Sequence, residues 1–316
     1  MITEPPHIPV LLRPMLDNLK CRNGGLFADG TFGAGGYTRA ILESSPQNKV
    51  IAFDRDPTVM PTVREFQNRF GERFTFIPQC FGTIETALQA VCDSVKLDGF
   101  VLDLGVSSMQ IDQPERGFSF RFEGPLDMRM SCNGITAEEI VNTFSEQKLA
   151  DIFYRYGEEK LSRRIAKAIV SARTQKLIKT TSELADIVHH VMPKPRDGSD
   201  SAMRTFQALR IFVNDELGEL ERALDASVRI LKPNGRLVVV TFHSLEDRIV
   251  KNFMIEHSSL RPNANRHAFM PETDLRTAEF EVLTRKPIKA DAQELADNPR
   301  AHSAKLRFAV RKENVC

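Results

Sequence analysis

Glycines and carboxylates near the start of this 316-residue chain have the types and spacing that hold an adenosine-containing cofactor. A glycine-rich segment, Asp29 to Gly36 (DGTFGAGG), lies between a strand-like run and a helix-like run, where a glycine turn lets backbone approach a ligand. Asp54 follows at the predicted end of the second strand, where a carboxylate can accept hydrogen bonds from both ribose hydroxyls. Together they indicate an adenosine-type cofactor, either NAD or S-adenosylmethionine. A turn without a ligand and a helix-capping carboxylate are the structural alternatives.

Two common nucleotide-binding patterns are absent from this turn. The dinucleotide pattern G-x-G-x-x-G would require a glycine at the position of Thr38. The chain also lacks the Gly-Lys-Ser/Thr sequence of a phosphate-binding P-loop. Hydride transfer and nucleotide hydrolysis are therefore disfavoured.

Asp103 is the first candidate for a reacting group. It ends the predicted fourth strand in LDLGVSS, at the sheet edge where a ligand crevice is expected. An N-methyltransferase acting on a base amine needs a proton acceptor and in-line placement, because a methyl sulfonium is already activated. A C5-pyrimidine methyltransferase would need a nucleophilic cysteine, and none lies between Cys92 and Cys132. A nitrogen acceptor is favoured; a buried carboxylate that caps the loop is an equal alternative for Asp103.

The elements that position these residues alternate between strand-like and helical patterns, which predicts βαβ units on a parallel sheet. The early strands are predicted at Leu26–Ala28, Val50–Phe53, Phe74–Ile77 and Phe100–Leu102. After Arg55, Asp56 is expected to cap a helix that has Pro57 in its first turn.

A helical insert interrupts this alternation, because strand patterns vanish from residue 113 to 204 and helical periodicity replaces them. The predicted domains are therefore residues 1–112 with 205–316, and the insert 113–204. Beyond the insert we predict helices at Glu216–Leu231 and Leu245–Glu256, a loop with Pro262 and Pro271, and strands at Arg236–Phe242, Phe280–Thr284 and Ala304–Arg311.

Composition restricts the class of protein. With 43 Lys plus Arg, 42 Asp plus Glu and 41% hydrophobic residues, the chain is globular rather than disordered. Its apolar runs fall far below the roughly 20 residues of a membrane span. The start has no signal or transit pattern, so we expect a cytoplasmic protein. The cysteine and histidine spacings predict no disulfide and no metal site.

Longer motifs carry a resemblance to one family. They are HIPVLL (His7 to Leu12), DGTFGAGGY (Asp29 to Tyr37), DRDP (Asp54 to Pro57), LDLGVSS (Leu102 to Ser108), ERGFSF (Glu115 to Phe120), GPLDMRM (Gly124 to Met130), TFQALRIFVNDEL (Thr205 to Leu217) and FHSLEDRIVK (Phe242 to Lys251). The chain resembles the bacterial 16S ribosomal RNA cytosine-N4 methyltransferases, the MraW or RsmH family. The match runs from His7 to about Arg311.

The resemblance implies an α/β fold, a class I (Rossmann-like) S-adenosylmethionine-dependent methyltransferase with an inserted all-helical subdomain for substrate RNA. The implied reaction is methylation of the exocyclic N4 of a cytidine in 16S rRNA, with the small ribosomal subunit as partner. The implied S-adenosylmethionine contacts are Gly35, Gly36, Tyr37, Asp54, Phe81, Asp103 and Gln110. Tyr37 stands where many members have His, and Met109 where many have Pro. Tyr37 is harmless if this position contributes mainly backbone.

His243, which follows the fifth predicted strand, is the second candidate for proton acceptor. It could instead hydrogen-bond the cytosine edge, and a structural histidine is at least as good an interpretation. In RGFSFRF, Phe118, Phe120 and Phe122 could stack on an extruded nucleotide, although alternating Phe more often forms a buried face. Asp127 and Arg129 are expected to shape the base pocket.

A basic stretch within the insert predicts RNA contact. Arg155 to Lys179 holds eight basic and two acidic residues, against a net charge of +1 for the whole chain. A solvated helix face is the alternative meaning of such charge. The sequence leaves open whether the chain forms a homodimer. Two other functions are alternatives: an RNA-binding assembly factor that retains the fold without activity and, less favoured, a nicotinamide-dependent oxidoreductase.

Overall fold

The strands in the described part of the chain form one sheet. The computed structural model describes residues 9–91, 95–192, 200–258 and 278–313, apart from the side chains of Ser108, Met109 and Pro299. In this part of the chain the strands are β1 Gly25–Asp29, β2 Asn48–Phe53, β3 Phe74–Ile77, β4 Leu97–Asp103, β5 Leu231–Thr241, β6 Phe280–Glu281 and β7 Lys305–Arg311. His7, Cys92 and the predicted loop with Pro262 and Pro271 lie outside the described residues.

The sheet order is β3-β2-β1-β4-β5-β7-β6. β1 to β5 pair in parallel, and β7 pairs antiparallel with both β5 and β6. The parallel strands are buried and rich in β-branched and aromatic residues, as a sheet covered on both faces requires. The predicted α/β class and class I arrangement are confirmed by this topology.

Helices connect and cover the strands. In the described residues they are α1 Leu12–Leu19, α2 Gly36–Ser44, α3 Met60–Phe70, α4 Ile84–Val91, α5 Ser108–Asp112, α6 Ala137–Thr143, α7 Glu146–Gly157, α8 Ser162–Arg173, α9 Thr181–Val191, α10 Met203–Asn214, α11 Glu216–Ile230, α12 Ser244–Glu256 and α13 Ala292–Asp297. None of these described helices combines the length and apolar character that crossing a membrane requires.

Two sequence predictions about the late strands need correction. β5 starts at Leu231, before the Pro233–Gly235 turn that was expected to precede it, because Leu231 already pairs with Leu97 and the turn forms an irregularity within the strand. β6 covers only Phe280–Glu281 rather than Phe280–Thr284. The chain leaves β7 after Glu281 and returns to it only at Ile288, which bridges to Leu306.

The described chain packs as two compact units, each with its own core. The sheet unit comprises the chain up to Gly105 and from Leu217 onward, and the helical unit is Val106–Glu216. Buried Phe53, Phe100 and Val239 belong to the core of the sheet unit. Buried Phe153, Ile165 and Leu209 belong to the core of the helical unit.

The borders of these units differ from those predicted at residues 112/113 and 204/205. The reason is packing: α10, which the sequence assigned to the sheet domain, places Phe206, Ala208 and Leu209 in the core of the helical unit. Among the described residues, the helical unit has no strand. Residues 117–136 form no helix, and Pro125 makes an isolated bridge with Thr180.

Candidate active site

The strand order reverses between β1 and β4, so the sheet has a switch point there. Ligands of open α/β sheets bind at such a point, outside the carboxyl ends of the strands. The sheet unit places the predicted cofactor residues at these ends. They are Gly35, Gly36 and Tyr37 after β1, Asp54 after β2, Phe81 after β3 and Asp103 at the end of β4. The remaining predicted contact, Gln110, belongs to the helical unit.

The glycine turn after β1 is fastened to the end of β2 by Asp54. The Gly33 N–H donates to Asp54 Oδ2 at 2.8 Å, and the Asp56 N–H donates to Asp54 Oδ1 at 2.9 Å. Burial raises the pKa of the Asp54 carboxyl. Because an ionised carboxylate offers about four lone-pair sites, both oxygens retain capacity for a ligand hydroxyl.

The helix-capping role, which was the structural alternative for Asp54, is filled by Asp56. Asp56 Oδ1 accepts hydrogen bonds from the Thr58 N–H at 3.0 Å and the Thr58 hydroxyl at 2.7 Å. Pro57 occupies the first position of that short helix. The predicted capping role of Asp56 is therefore confirmed, and Asp54 is left to face the turn.

The turn is crowded on one side and open on the other. A Cβ on Gly35 would lie 2.4 Å from Phe66 Cζ, and one on Gly36 would lie 2.2 Å from Pro9 Cγ. At Gly33, the nearest atom to a built Cβ is the Thr31 carbonyl oxygen at 3.9 Å, although φ is +50°. Glycine at 35 and 36 therefore serves close packing, whereas Gly33 faces open space where a ligand can approach backbone.

Asp103 is held at the crevice by its backbone and has an unsatisfied side-chain oxygen. Its N–H donates to Thr31 Oγ1 at 2.7 Å, which ties β4 to the glycine turn. Its Oδ1 atom is buried and has no hydrogen-bond partner among the described residues. Burial first, and then the charges of Asp29 and Glu246, raise its pKa well above the usual range. A buried acceptor without a partner is costly, and a donor on a bound ligand would satisfy it.

Asp29 is a site residue that our sequence reasoning missed. It is fully buried at the end of β1, where Oδ1 accepts the Thr31 N–H at 3.0 Å and Oδ2 accepts the Thr38 hydroxyl at 2.7 Å. Burial raises its pKa to about 6. Asp29 thus stabilises the glycine turn, and Asp103 is hydrogen-bonded to the same turn through Thr31. The available signal was its position at the head of the glycine-rich segment, with Thr31 and Thr38 following Asp29 in the sequence.

Tyr37 uses its side chain for packing. The ring is buried in α2, and the hydroxyl donates to the carbonyl of Val10. Burial, followed by the negative charges of Asp103 and Asp29, raises the pKa of the phenol. The side chain is therefore committed to anchoring the N-terminal segment. The other unusual residue, Met109, has a side chain that lies outside the described part of the chain.

Phe81 lies against Gly30 in the sheet unit. A Cβ built on Gly30 would be 2.9 Å from Phe81 Cβ and 2.4 Å from Leu102 Cδ2. Phe81 is only partly buried and packs on the edge of the core. Its position therefore supplies an apolar wall beside the ends of β1 and β4.

His243 is the N-cap of α12. Its Nδ1 accepts the Glu246 N–H at 3.5 Å, and Glu246 Oε2 accepts the N–H groups of Phe242 at 2.8 Å and His243 at 3.2 Å. Nε2 lies 3.0 Å from Glu246 Oε1, but without hydrogen-bond geometry. This arrangement matches the structural alternative, since both ring nitrogens face the first turn of α12. Proton transfer by His243 stays a prediction.

Several predicted residues belong to the helical unit. Gln110 is buried and completes a capping box, with its Oε1 accepting the Ser107 N–H at 3.0 Å. Asp127 and Arg129 pair through two hydrogen bonds of 2.9 and 2.8 Å. Burial opposes ionisation of Asp127, but its bonds with Arg129 lower the pKa below the usual value. The pairing of Asp127 with Arg129 thus explains how two charged residues are accommodated in the apolar run from Gly124 to Met130.

The three alternating phenylalanines separate into two groups. Phe118 is buried, and Phe120 packs edge-on against Phe206 with ring centroids 5.2 Å apart. Phe122 is 53% exposed. The buried-face interpretation therefore describes the first two rings and not the third.

Comparison with known proteins gives a match over nearly the whole chain. The model of the MraW methylase family matches residues 4–312. A protein of Paramagnetospirillum magneticum is 53% identical over 306 residues, which is 97% of this chain and 96% of that protein. One of Methylobacterium nodulans is 52% identical over 311 residues (98% and 91%), and one of Maricaulis maris is 52% identical over 309 residues (98% and 92%). Each is named ribosomal RNA small subunit methyltransferase H.

Proposed function

The chain belongs to the MraW methylase family, and we propose that it transfers the methyl group of S-adenosylmethionine to the exocyclic N4 amine of a cytidine in 16S ribosomal RNA. The observation that carries this proposal is the meeting of the glycine turn, Asp54 and Asp103 at one switch point, in a chain that a methylase family matches over residues 4–312. The names of the relatives support the small ribosomal subunit as the substrate particle.

The residues of the crevice fit this cofactor, which supplies a methyl group already activated by a sulfonium. Asp54 accepts hydrogen bonds from the ribose hydroxyls. Phe81 packs against the adenine, and the open face of the turn at Gly33 lets backbone approach the cofactor. The orphaned Oδ1 of Asp103 accepts a hydrogen bond from an amino group within the crevice.

Asp103 also serves as the proton acceptor for the target amine. The amine is a weak nucleophile, because its lone pair is delocalised into the pyrimidine ring. As the C–N bond forms and the C–S bond breaks, the nitrogen must lose a proton to a nearby base. Burial raises the pKa of Asp103. The positive charge of a bound sulfonium near this carboxyl would lower that pKa and favour the ionised carboxylate, which can accept the proton. His243 is the second candidate for this role.

The helical unit recognises the RNA substrate. The basic stretch of this unit, from Arg155 to Lys179, supports RNA recognition. The enzyme acts in the cytoplasm, where small subunits are assembled. The buried cores of the two units are separate, so substrate recognition can change without disturbing the cofactor crevice.

The decisive assay supplies the purified protein with unmethylated small ribosomal subunits and methyl-labelled S-adenosylmethionine. Nucleoside analysis by mass spectrometry should find N4-methylcytidine, and Asp103→Ala should abolish it. Asp225→Asn, at an exposed position of α11, is the control and should retain activity. Subunit binding without label transfer would instead identify an assembly factor, and label on C5 would refute the nitrogen mechanism.

A further inference from the structure

The end of α7 and the start of α8 bring exposed cations together with an exposed aromatic ring. Both helices lie in the helical unit and are joined by residues 158–161. The exposed cations within about two turns of this connection are Arg155, Lys160, Arg163, Arg164 and Lys167. Tyr154 on α7 is 65% exposed.

Packing adds a cation from a distant part of the sequence. The Arg204 carbonyl oxygen would lie 2.6 Å from a Cβ on Gly157, so α10 touches the end of α7 directly. The exposed Arg204 guanidinium donates to the Glu158 carbonyl at 3.4 Å, and Gln207 donates to the Tyr156 carbonyl at 3.2 Å. We call these six cations with Tyr154 the turn cluster.

The six cations of the turn cluster form no ion pair within the described part of the chain. Among the described residues, none of the six cations lies within ion-pair distance of a carboxylate. The connection itself contains the exposed Glu158, whereas Glu159 is buried with its Oε1 accepting the Leu161 N–H at 2.8 Å. The same unit pairs other cations: Arg210 lies 2.8 Å from Glu216, and Lys176 contacts Glu183 at 2.5 Å. Within the described residues, no ion pair therefore offsets the charge of these six cations, and Tyr154 lies exposed on the same helix end.

We propose that the turn cluster binds single-stranded ribosomal RNA, with the cations contacting phosphates and Tyr154 stacking on an unpaired base. This inference rests on the proposed function and names the surface that holds its substrate. Cationic grooves with aromatic rings are the usual means of binding single strands, because every base has a face for stacking and every nucleotide has a phosphate. A protein partner would favour a drier, more apolar surface with fewer lysines.

The test measures binding of a fluorescent 12-nucleotide cytidine–uridine RNA and of small ribosomal subunits over a range of salt concentrations. The triple variant R163Q/R164Q/K167Q should bind the RNA at least about tenfold more weakly, with a salt slope smaller by about 2. Tyr154→Ala should weaken binding at least about fivefold with an unchanged slope, and Tyr154→Phe should restore it. The control R13Q/R22Q/K49Q, which removes three exposed cations of the sheet unit, should bind like wild type.

Three results would overturn the proposal. The triple variant would bind with wild-type affinity and slope, the control would lose as much affinity as the triple variant, or the triple variant would lose affinity for subunits but not for the RNA, which would identify a ribosomal protein as partner. Unchanged melting temperature and S-adenosylhomocysteine affinity show that the variants are folded. If wild type binds RNA in this way but produces no N4-methylcytidine, the proposed function fails and the assigned surface stands.

Discussion

The two units of this methyltransferase treat charge in opposite ways. In the sheet unit, backbone N–H groups donate to the carboxylates of Asp29 and Asp54, and Asp103 Oδ1 is buried without a partner among the described residues. Burial raises the pKa of all three carboxyls. In the helical unit, the cations of the turn cluster are exposed and form no ion pairs among the described residues. The first arrangement fixes one geometry around a small ligand. The second attracts a large polyanion over distance. On the proposed function, methyl transfer and RNA recognition are thus assigned to groups of opposite charge, the first buried and the second exposed.

The largest expected effect comes from removing the charge of the crevice while keeping its shape. Asp103→Asn should lower kcat for N4 methylation by about 10²- to 10⁴-fold, because the amine loses its proton acceptor. The melting temperature should equal or exceed that of wild type, since the variant no longer buries a carboxylate with an unsatisfied oxygen. Steady-state kinetics and calorimetry measure the two effects. A variant with wild-type kcat would show that Asp103 is not the acceptor.

A second change tests whether close packing at Gly35 is required for stability and cofactor binding. Gly35→Ala should lower the free energy of unfolding by about 1 to 4 kcal/mol and weaken binding of S-adenosylhomocysteine, because the new Cβ meets Phe66 at 2.4 Å and φ is +77°. Gly134→Ala is the control: its φ is +89°, and nothing lies within 4 Å of the added Cβ. It should show the backbone cost of about 1 kcal/mol alone. Equal losses in both variants would mean that packing against Phe66 is unimportant.

Burial of Asp29 predicts a pH-dependent stability. Its pKa is about 6 in the folded chain against 3.8 ordinarily, so the folded state holds the proton more tightly. The contribution of Asp29 to stability is therefore complete below about pH 4 and is lost as pH rises through about 6, by about 3 kcal/mol in all. Urea unfolding at several pH values should show the free energy of unfolding of wild type falling by about 3 kcal/mol relative to that of Asp29→Asn as pH rises over this range. A difference independent of pH would mean that Asp29 is not withdrawn from water.

The smallest effect concerns Tyr37. Tyr37→Phe removes the hydrogen bond to the Val10 carbonyl and should lower the free energy of unfolding by about 1 kcal/mol. The affinity for S-adenosylhomocysteine, measured by calorimetry, should not change, because the side chain faces the core. A selective loss of affinity would show that the phenol itself contributes to cofactor binding.

The sequence predicted the crevice better than it predicted the helical unit. Strand periodicity and the glycine turn are local signals, so β1 to β4, the turn, Asp54 and Asp103 could be placed from the residues alone, whereas Phe81 came from the family resemblance. The role of Asp29 was missed because it depends on hydrogen bonds to Thr31 and Thr38, which no periodicity reports. The catalytic interpretation of His243 competes with a capping geometry that appears only once α12 is formed.

Tertiary packing decided the features that the sequence could not predict. Arg204 joins the turn cluster because α10 packs against α7, although about 50 residues separate them along the chain. The same packing moves α10 into the helical unit and shifts the predicted border. Phe122 looked equivalent to Phe118 and Phe120 in sequence, yet it alone of the three is exposed.

The central claim is that the sheet unit binds S-adenosylmethionine and the helical unit binds RNA. It is tested most directly by measuring the KM for S-adenosylmethionine and for small ribosomal subunits in two variants. Asp54→Ala should raise the KM for S-adenosylmethionine by about 10- to 100-fold, through lost hydrogen bonds to a charged acceptor, and leave the KM for small ribosomal subunits unchanged. R163Q/R164Q/K167Q should do the reverse. If either variant raises both KM values alike, the cofactor and the RNA are not held by separate surfaces, and the account is wrong.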